Sequence, residues 1–467
     1  MTNMLSKEIL PNETRIFYKS LFKIVLPITL QNLISAAVNS ADVIMLSKVG
    51  QTSIAAVSLA GQVQFVLLLF FVGLSSGLIM LTAQYWGKQD AHSIETLTGI
   101  AFKFSCTAGL IFSAGAFFFP SAIMHIFTDK SGMIEEGAKY LRFVAPSYFF
   151  MSVSQVFQAV FKSIERVKTV TALTIGALLM NIVLNAVFIF GLGPAPAMGA
   201  SGAALATSVA RAIEMCACIW VSLRIKDIRL NLSILFMKNS DLLRDFAKFS
   251  LPALVNEFVW GAAYAMYSVI LGHLGEDIVA ANSVVGVVRN LASVLCFGMA
   301  YGGAILLGKE MGGGNLEKAK KDAGRLWRST TLAGLAGGLV IALSFPIMSR
   351  MDKLSPEAVS MLRWLLLSNG ASIFGATVNT VLICGIFRAG GDSKFGLIVD
   401  SACMWGISVP LGLVCAFVLH LPPVVVYAIM FLDEFEKMPF IVHHYRSGKW
   451  LKNITRDFNP AAKENPQ

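Results

Sequence analysis

Charge is what this sequence has least of. Asp, Glu, Lys and Arg make up 14% of its 467 residues, against 55% hydrophobic residues and a mean hydropathy of +0.67. A soluble domain carries about 25% charged residues. The shortfall is not local. Apolar runs of about 20 residues, enough to cross a bilayer core as a helix, recur from end to end. The chain reads as a polytopic membrane protein. A signal peptide is lacking too. The opening MTNMLSKEILPNETRIFYKS has no basic start, apolar core or cleavage site. Residues 1–20 read as a cytoplasmic tail with room for a short amphipathic helix.

Other absences exclude chemistry. The seven cysteines, Cys106, Cys216, Cys218, Cys296, Cys384, Cys403 and Cys415, lie in apolar stretches. None has zinc-site or disulfide spacing, so they read as small packing residues. The six histidines are scattered, apart from His443-His444 in a basic region near the C-terminus. No metal-ligand cluster or nucleophile–base pair suggests an enzyme, and no cofactor is expected. The glycine-rich RAGGDSK (388–394) and KEMGGGN (309–315) are not Walker A motifs, so ATP hydrolysis is not expected. They read as tight cytoplasmic turns.

The net charge of +10 is a topology signal rather than a nucleic-acid footprint. Apolar runs divide the chain into twelve spans, roughly 21–47, 53–82, 97–120, 137–158, 169–190, 201–223, 246–271, 278–307, 328–348, 358–387, 395–419 and 423–443. In and beside the odd-numbered loops fall few basic residues: Lys48, Lys130, Lys139, Arg350 and Lys353. Most of the others fall in even-numbered loops and the tails. That asymmetry places both termini in the cytoplasm.

The sequence also repeats itself. Shifted by 225, residues 23–87 fall on 248–312 without a gap, with 15 identities in 65 positions. They include Pro27/Pro252, Gly50/Gly275, Gly61/Gly286, Gly73/Gly298, Gly77/Gly302 and Gly87/Gly312. Phe119-Pro120 recurs as Phe345-Pro346, and VFKSIERVK (160–168) faces IFRAGGDSK (386–394). The expected architecture is all-α, twelve transmembrane helices as two pseudo-symmetric six-helix lobes. The N-lobe runs 21–223 and the C-lobe 246–443. They are joined by a cytoplasmic linker at 224–245 and followed by a cytoplasmic tail at 444–467. Each half has an even number of spans, so the symmetry axis follows the membrane normal and a cavity between the halves is the natural substrate site. The repeated prolines read as ordinary transmembrane prolines or as bends facing that cavity. The glycines permit close helix packing.

Three stretches, LPITLQNLISAAVNSADVIMLSKVGQTSIAAVSLAGQV, its second-half copy LPALVNEFVWGAAYAMYSVILGHLGEDIVAANSVVGVVRNL, and GIFRAGGDSKFGLIVD, resemble the multidrug and toxic compound extrusion (MATE) family over residues 15–455. RSGKWLKNIT near the end is similar to that family's common C-terminus. The resemblance implies two lobes, alternating access, and export of organic, often cationic, compounds driven by inward Na⁺ or H⁺.

An ionised side chain at mid-helix in a membrane costs at least about 2.5–3.5 kcal/mol, so each one needs a reason. By position alone Asp42 is a solvated acid at a helix end. The resemblance instead implies an N-lobe cation site with polar residues of spans 4, 5 and 6. In MNIVLNAVF, Asn181 and Asn185 share a helix face. Asn185 replaces the family's second carboxylate. Gln158 on span 4 is a further candidate, and Ser201 on span 6 a weaker one. One carboxylate with two amides could hold Na⁺ at Asp42, Asn181 and Asn185, with less charge than two carboxylates supply, and it suits a proton equally. The coupling ion stays open between H⁺ and Na⁺, with a lean toward H⁺.

In the second half Glu257 matches a family helix-7 acid for cation or substrate, or pairs with backbone near the cytoplasmic interface. Its usual helix-10 partner acid is absent, and Thr377 and Asn379 are the polar residues there. Arg289 has no acid at helical spacing. It pairs across the cavity with Glu257 or Asp42, or meets an anionic or zwitterionic ligand. Arg211 and Glu214 are three apart and read as a structural pair. Asp400 lies in span 11, and Glu434, Glu436 and Lys437 in span 12 read as pairing locally. Most of the 33 Phe and 20 Met face lipid or core, and a minority could line a cavity for flat cations. The expected function is secondary antiport of organic cations (multidrug efflux) across the cytoplasmic membrane by a monomer. The alternative is a flippase for lipids or lipid-linked sugars.

Overall fold

The structure is a computed structural model. It describes residues 2–192, 196–228, 237–349 and 355–457, together with Ser233 and Leu235, and for residues 2–11 the backbone alone. Arg350 and Lys353, part of the linker, and the last ten residues of the tail lie outside the described residues.

Long helices follow the twelve expected spans. They are α1 Thr2–Ser47, α2 Gln51–Gly87, α3 Ala91–Phe118, α4 Ser131–Ser163, α5 Val167–Phe190 and α6 Gly199–Arg224 in the first half. The second half has α7 Ser240–His273, α8 Glu276–Gly312, α9 Leu316–Leu343, α10 Pro356–Phe387, α11 Ser393–Val418, and α12. α12 is broken between Pro423–Met430 and Asp433–Ser447. Among the described residues ten helices are long and apolar enough to cross a membrane. α4 and α12 are not among these ten: the second half of α4 is interrupted by Ser147, Ser152, Ser154, Gln155 and Gln158, and α12 is broken into pieces of 8 and 15 residues. Both α10 and α11 contain π-helical stretches, at Val381–Phe387 in α10 and at Ser401–Ser408 and Val414–Val418 in α11. Such widened turns often mark functional positions.

The duplication is visible in the details. A short helix opens at Pro120 after α3 and another at Phe345 after α9, the two Phe-Pro pairs of the repeat. Gly50 and Gly275 begin α2 and α8 at positive φ, +157° and +126°, which side chains rarely adopt. The paired glycines of α2 and α8 form the seam between halves. A Cβ on Gly73 or Gly77 would run into Leu254 or Ser250 of α7. On Gly298 or Gly302 it would press against Val25 or Thr29 of α1. Gly87 lies against the Lys309 carbonyl of α8, and Gly312 against the Gln84 carbonyl of α2. Gly61 and Gly286, toward the other ends of these helices, meet nothing within 4 Å. The halves therefore touch at the end that carries both termini.

Of the expected tail, residues 2–20 are helix and run on into the first span as one element, α1. The tail's polar composition hides a packing role. Phe17 and Leu21 are buried with Met311, Ala319 and Leu326 of the second half. The Tyr18 hydroxyl reaches the Arg325 carbonyl, and Glu13 stands 3.6 Å from the Arg325 guanidinium.

Candidate functional site

Asp42 lies five residues before the end of α1, at the end of the molecule away from the termini. Asn185 lies five residues before the end of α5, at the same level. Its amide donates to Asp42 Oδ1 at 2.6 Å. Asn181, one turn back on the same face, has Oδ1 3.4 Å from Asn185 Nδ2, and its own amide reaches Thr207 Oγ1 of α6 at 3.4 Å. Asp42, Asn181 and Thr207 border a cavity of about 250 Å³ whose polar lining also includes Asn39, Gln64, Tyr140 and Arg211, with Asn185 behind Asp42. Asp42 makes no ion pair among the described residues.

Two expected members lie elsewhere. Gln158 does not line the cavity. Its amide donates to Glu214 Oε1 at 3.0 Å, and Glu214 Oε2 holds the Arg211 guanidinium at 2.7 Å. Gln158 sits 18 residues, about 27 Å of helix, beyond Tyr140, the α4 residue that does reach the cavity. Ser201 likewise gives way to Thr207 and Arg211 further along α6. The Arg211–Glu214 pair is present, and its arginine faces the cavity.

The donor set can be weighed against Na⁺. A hard cation wants several oxygen ligands. Here Asn185 turns its N–H toward the carboxylate, and its own Oδ1 is buried without a partner. No group of three or more His, Cys, Asp or Glu among the described residues could hold a metal ion. The arrangement as it stands serves one carboxylate hydrogen-bonded by an amide, and Na⁺ at Asp42, Asn181 and Asn185 would require that amide to turn its oxygen inward.

In the second half the acids are arranged differently from expectation. Glu257 pairs with neither Arg289 nor Asn379. Its Oε1 accepts from Arg388 Nη1 at 3.0 Å. Arg388 is 4% exposed and also donates to Ser76 Oγ of α2 and to Asn256 Oδ1. Asn256 passes the chain to Asp400 Oδ2 at 2.7 Å. Asp400 lies 3.2 Å from Lys437 Nζ, with Asp433 at 3.0 Å and Glu434 at 3.7 Å around the same ammonium. Asn379 donates to Glu434 Oε2 at 2.9 Å. The helix-10 position that lacks an acid is thus supplied with one from α12. Lys437 and Glu434 pair locally as expected, Asp433 and Asp400 join them, and Glu436 instead accepts from Ser408 of α11 at 3.3 Å.

Arg289 pairs with neither Glu257 nor Asp42. Its guanidinium lies over the rings of Tyr264 and Phe431, at 5.7 and 5.3 Å, and Nη1 is buried without a partner. Arg388 was read only as part of a turn. The repeat held the missed signal: residues 160–168 against 386–394 set Arg388 opposite Lys162, which lies 5.9 Å over the Tyr301 ring.

Comparison with known proteins agrees with this plan. The family profile described as MatE matches residues 27–187 and 252–414, one stretch in each half. The chain is similar to the uncharacterized transporter YisQ of Bacillus subtilis, 24% identical over 436 residues, covering 93% of this chain and 95% of that one. It is similar to the probable multidrug resistance protein NorM of Thermotoga maritima, 23% identical over 458 residues and 97% of each chain. Among solved structures, the Vibrio cholerae MATE transporter VcmN in its bent form superposes with a TM-score of 0.83 at 14% identity, covering 94% of this chain and all of that one. A MOP-superfamily transporter from Pyrococcus furiosus gives 0.83 at 18% identity, with 92% and 95% covered. At these identities the superpositions speak for the fold. With the family profile matched in both halves, the chain belongs to the MatE family of transporters.

Proposed function

We propose that the protein is a secondary antiporter that exports organic cations, multidrug substrates among them, in exchange for H⁺ or Na⁺. Asp42 is the coupling residue. The observation that carries this reading is an acid without an ion pair, bonded to Asn185 and bordering a cavity of about 250 Å³. An organic cation and a coupling cation compete for such a group, and competition links their fluxes. The name of the Thermotoga maritima relative, a probable multidrug resistance protein, supports the substrate class. With both termini in the cytoplasm, the glycine seam closes the cytoplasmic side, and exchange of the open side requires the lobes to rock. H⁺ is the preferred ion, because Asn185 turns its amide nitrogen, and not its oxygen, toward Asp42.

Efflux of a fluorescent cation from inverted vesicles tests this, with H⁺ and Na⁺ gradients imposed separately. Asp42→Asn is expected to abolish gradient-driven transport. Glu257→Gln is expected to reduce it less, because that acid is already neutralised by Arg388. Unchanged transport in Asp42→Asn would remove the central claim, and strict Na⁺ dependence would reverse the choice of ion. The unpaired guanidinium of Arg289 favours a second reading, a flippase for anionic lipids or lipid-linked sugars. Loss of the gene should then impair envelope synthesis and leave drug tolerance unchanged.

A further inference from the structure

The charge in the interior of the second lobe does not balance. Four carboxylates, Glu257, Asp400, Asp433 and Glu434, form one linked chain with two cations, Arg388 and Lys437. Arg388 neutralises Glu257 at one end. Lys437 is left with three acids at the other. Lys437 is 2% exposed and Asp433 1%. Uncompensated charge at such depth is costly, so the cluster favours taking up positive charge from outside.

Two further observations point to a ligand. Among the described residues, Asp433 Oδ1 is buried without a partner, and Oδ2 meets only the Lys437 ammonium, at 3.0 Å. A buried ionised carboxylate normally accepts several hydrogen bonds. Asn379, 2% exposed, directs its amide at Glu434 and keeps a buried Oδ1 without a partner beside the cluster. The neighbours do not supply the missing charge. Tyr264 and Tyr267 of α7, Cys296 of α8, Cys384 of α10 and Cys403 of α11 face the acids and are neutral when protonated. On α12 itself, Glu436 adds a further acid, bonded to Ser408. Arg289 faces Tyr264 and Phe431 and ion-pairs with none of these acids.

A metal ion does not suit the centre, because Lys437 Nζ already fills it, and no metal-holding group of three occurs among the described residues. A proton needs no such vacancy. We propose that Asp433 and Glu434, with Lys437 and Asp400, form a proton-binding site of the second lobe, separate from Asp42 and from Glu257. At neutral pH the cluster holds protons on its α12 acids. Each bond change is simple: a carboxylate oxygen gains or loses H⁺, exchanged with water.

The site stands independently of the antiport reading, and its test uses no substrate. Infrared spectra of the full-length protein in lipid, free of Na⁺, record the carbonyl stretch of protonated carboxyl groups. At neutral pH the wild type is expected to show this band, with loss on alkalinisation. Asp433→Asn should reduce it by one carboxyl group, and Asp433→Asn with Glu434→Gln should remove the cluster's share. Asp42→Asn should leave that share unchanged. Lys437→Met offers a check in the opposite direction, since removing the ammonium should increase the band. Three outcomes would overturn the proposal: no band at neutral pH, a band unaltered in the double variant, or a band that Na⁺ erases at constant pH.

Discussion

Arg388 holds three partners at once, on α2 and α7, and is buried. Removing one partner of a buried ion pair leaves the other charge uncompensated, at a cost of about 3–5 kcal/mol. Arg388→Met is therefore expected to lower the melting temperature sharply, and adding Glu257→Gln should restore part of the loss. A double-mutant cycle on melting in detergent measures this coupling, and additive losses would show that the two side chains act apart. At Asp42 the residue scale was more legible. The one-turn spacing sets Asn181 and Asn185 on one face, the family resemblance implies that they stand beside Asp42, and Asn185 bonds both Asp42 and Asn181. Gln158 was misplaced because a polar residue on the expected helix says nothing of its height along that helix. Arg388 is hidden in the sequence because Gly390 and Gly391 beside it carry a turn signal, which says nothing of burial. Its burial depends on Ser76, more than 300 residues away.

At the scale of elements, the glycines of α2 and α8 carry the contact between halves. Their pairing was legible in the repeat, but what they touch was not. Identical spacing shows that two helices are alike, and not that each packs on the opposite half. Gly312→Ala would place a methyl group in the Gln84 carbonyl, and Gly87→Ala one in the Lys309 carbonyl. Either is expected to cut cation efflux in the vesicle assay severalfold and to expose cysteines introduced at the seam to thiol reagents. Gly61→Ala, in open space, should do neither. The first turns of α1 teach the converse. Their polarity suggested a solvated tail, yet an amphipathic face buries Phe17 and Leu21 on the far half.

Across the whole molecule, the last described residues tie the terminus-bearing end together. Gln84 of α2 donates to the carbonyls of Ala389 and Lys452, and its own oxygen receives the N–H of Ile454. Arg456 binds Asp245 of α7 through two nitrogens, at 2.5 and 2.7 Å. Lys88 stands 2.5 Å from Asp457 and holds that carboxyl below its ordinary value of 3.8. A carboxyl whose folded value is depressed contributes fully above its unfolded value and loses the contribution as pH falls through the folded one. The Lys88–Asp457 tie should therefore persist at neutral pH and fail only below about pH 4. Proteolysis of the C-terminal segment, followed against pH, should accelerate there, and Asp457→Asn should remove the step. This segment was legible as a family-like C-terminus, but its grip on α2 and α7 depends on contacts that no local pattern encodes.

The backbone-lined seam has a kinetic consequence for the exchange proposed above. Interdigitated side chains act as teeth, and parting them means unlocking many rotamers together. Two glycine-faced helices present smooth rails instead. The resistance to sliding then resides in a few detachable catches: Lys309 with Glu165 at 2.7 Å, and the C-terminal bonds to Gln84 and Asp245. The pace of the cycle would be set by how fast these catches release, at a distance from the acids that bind the ions.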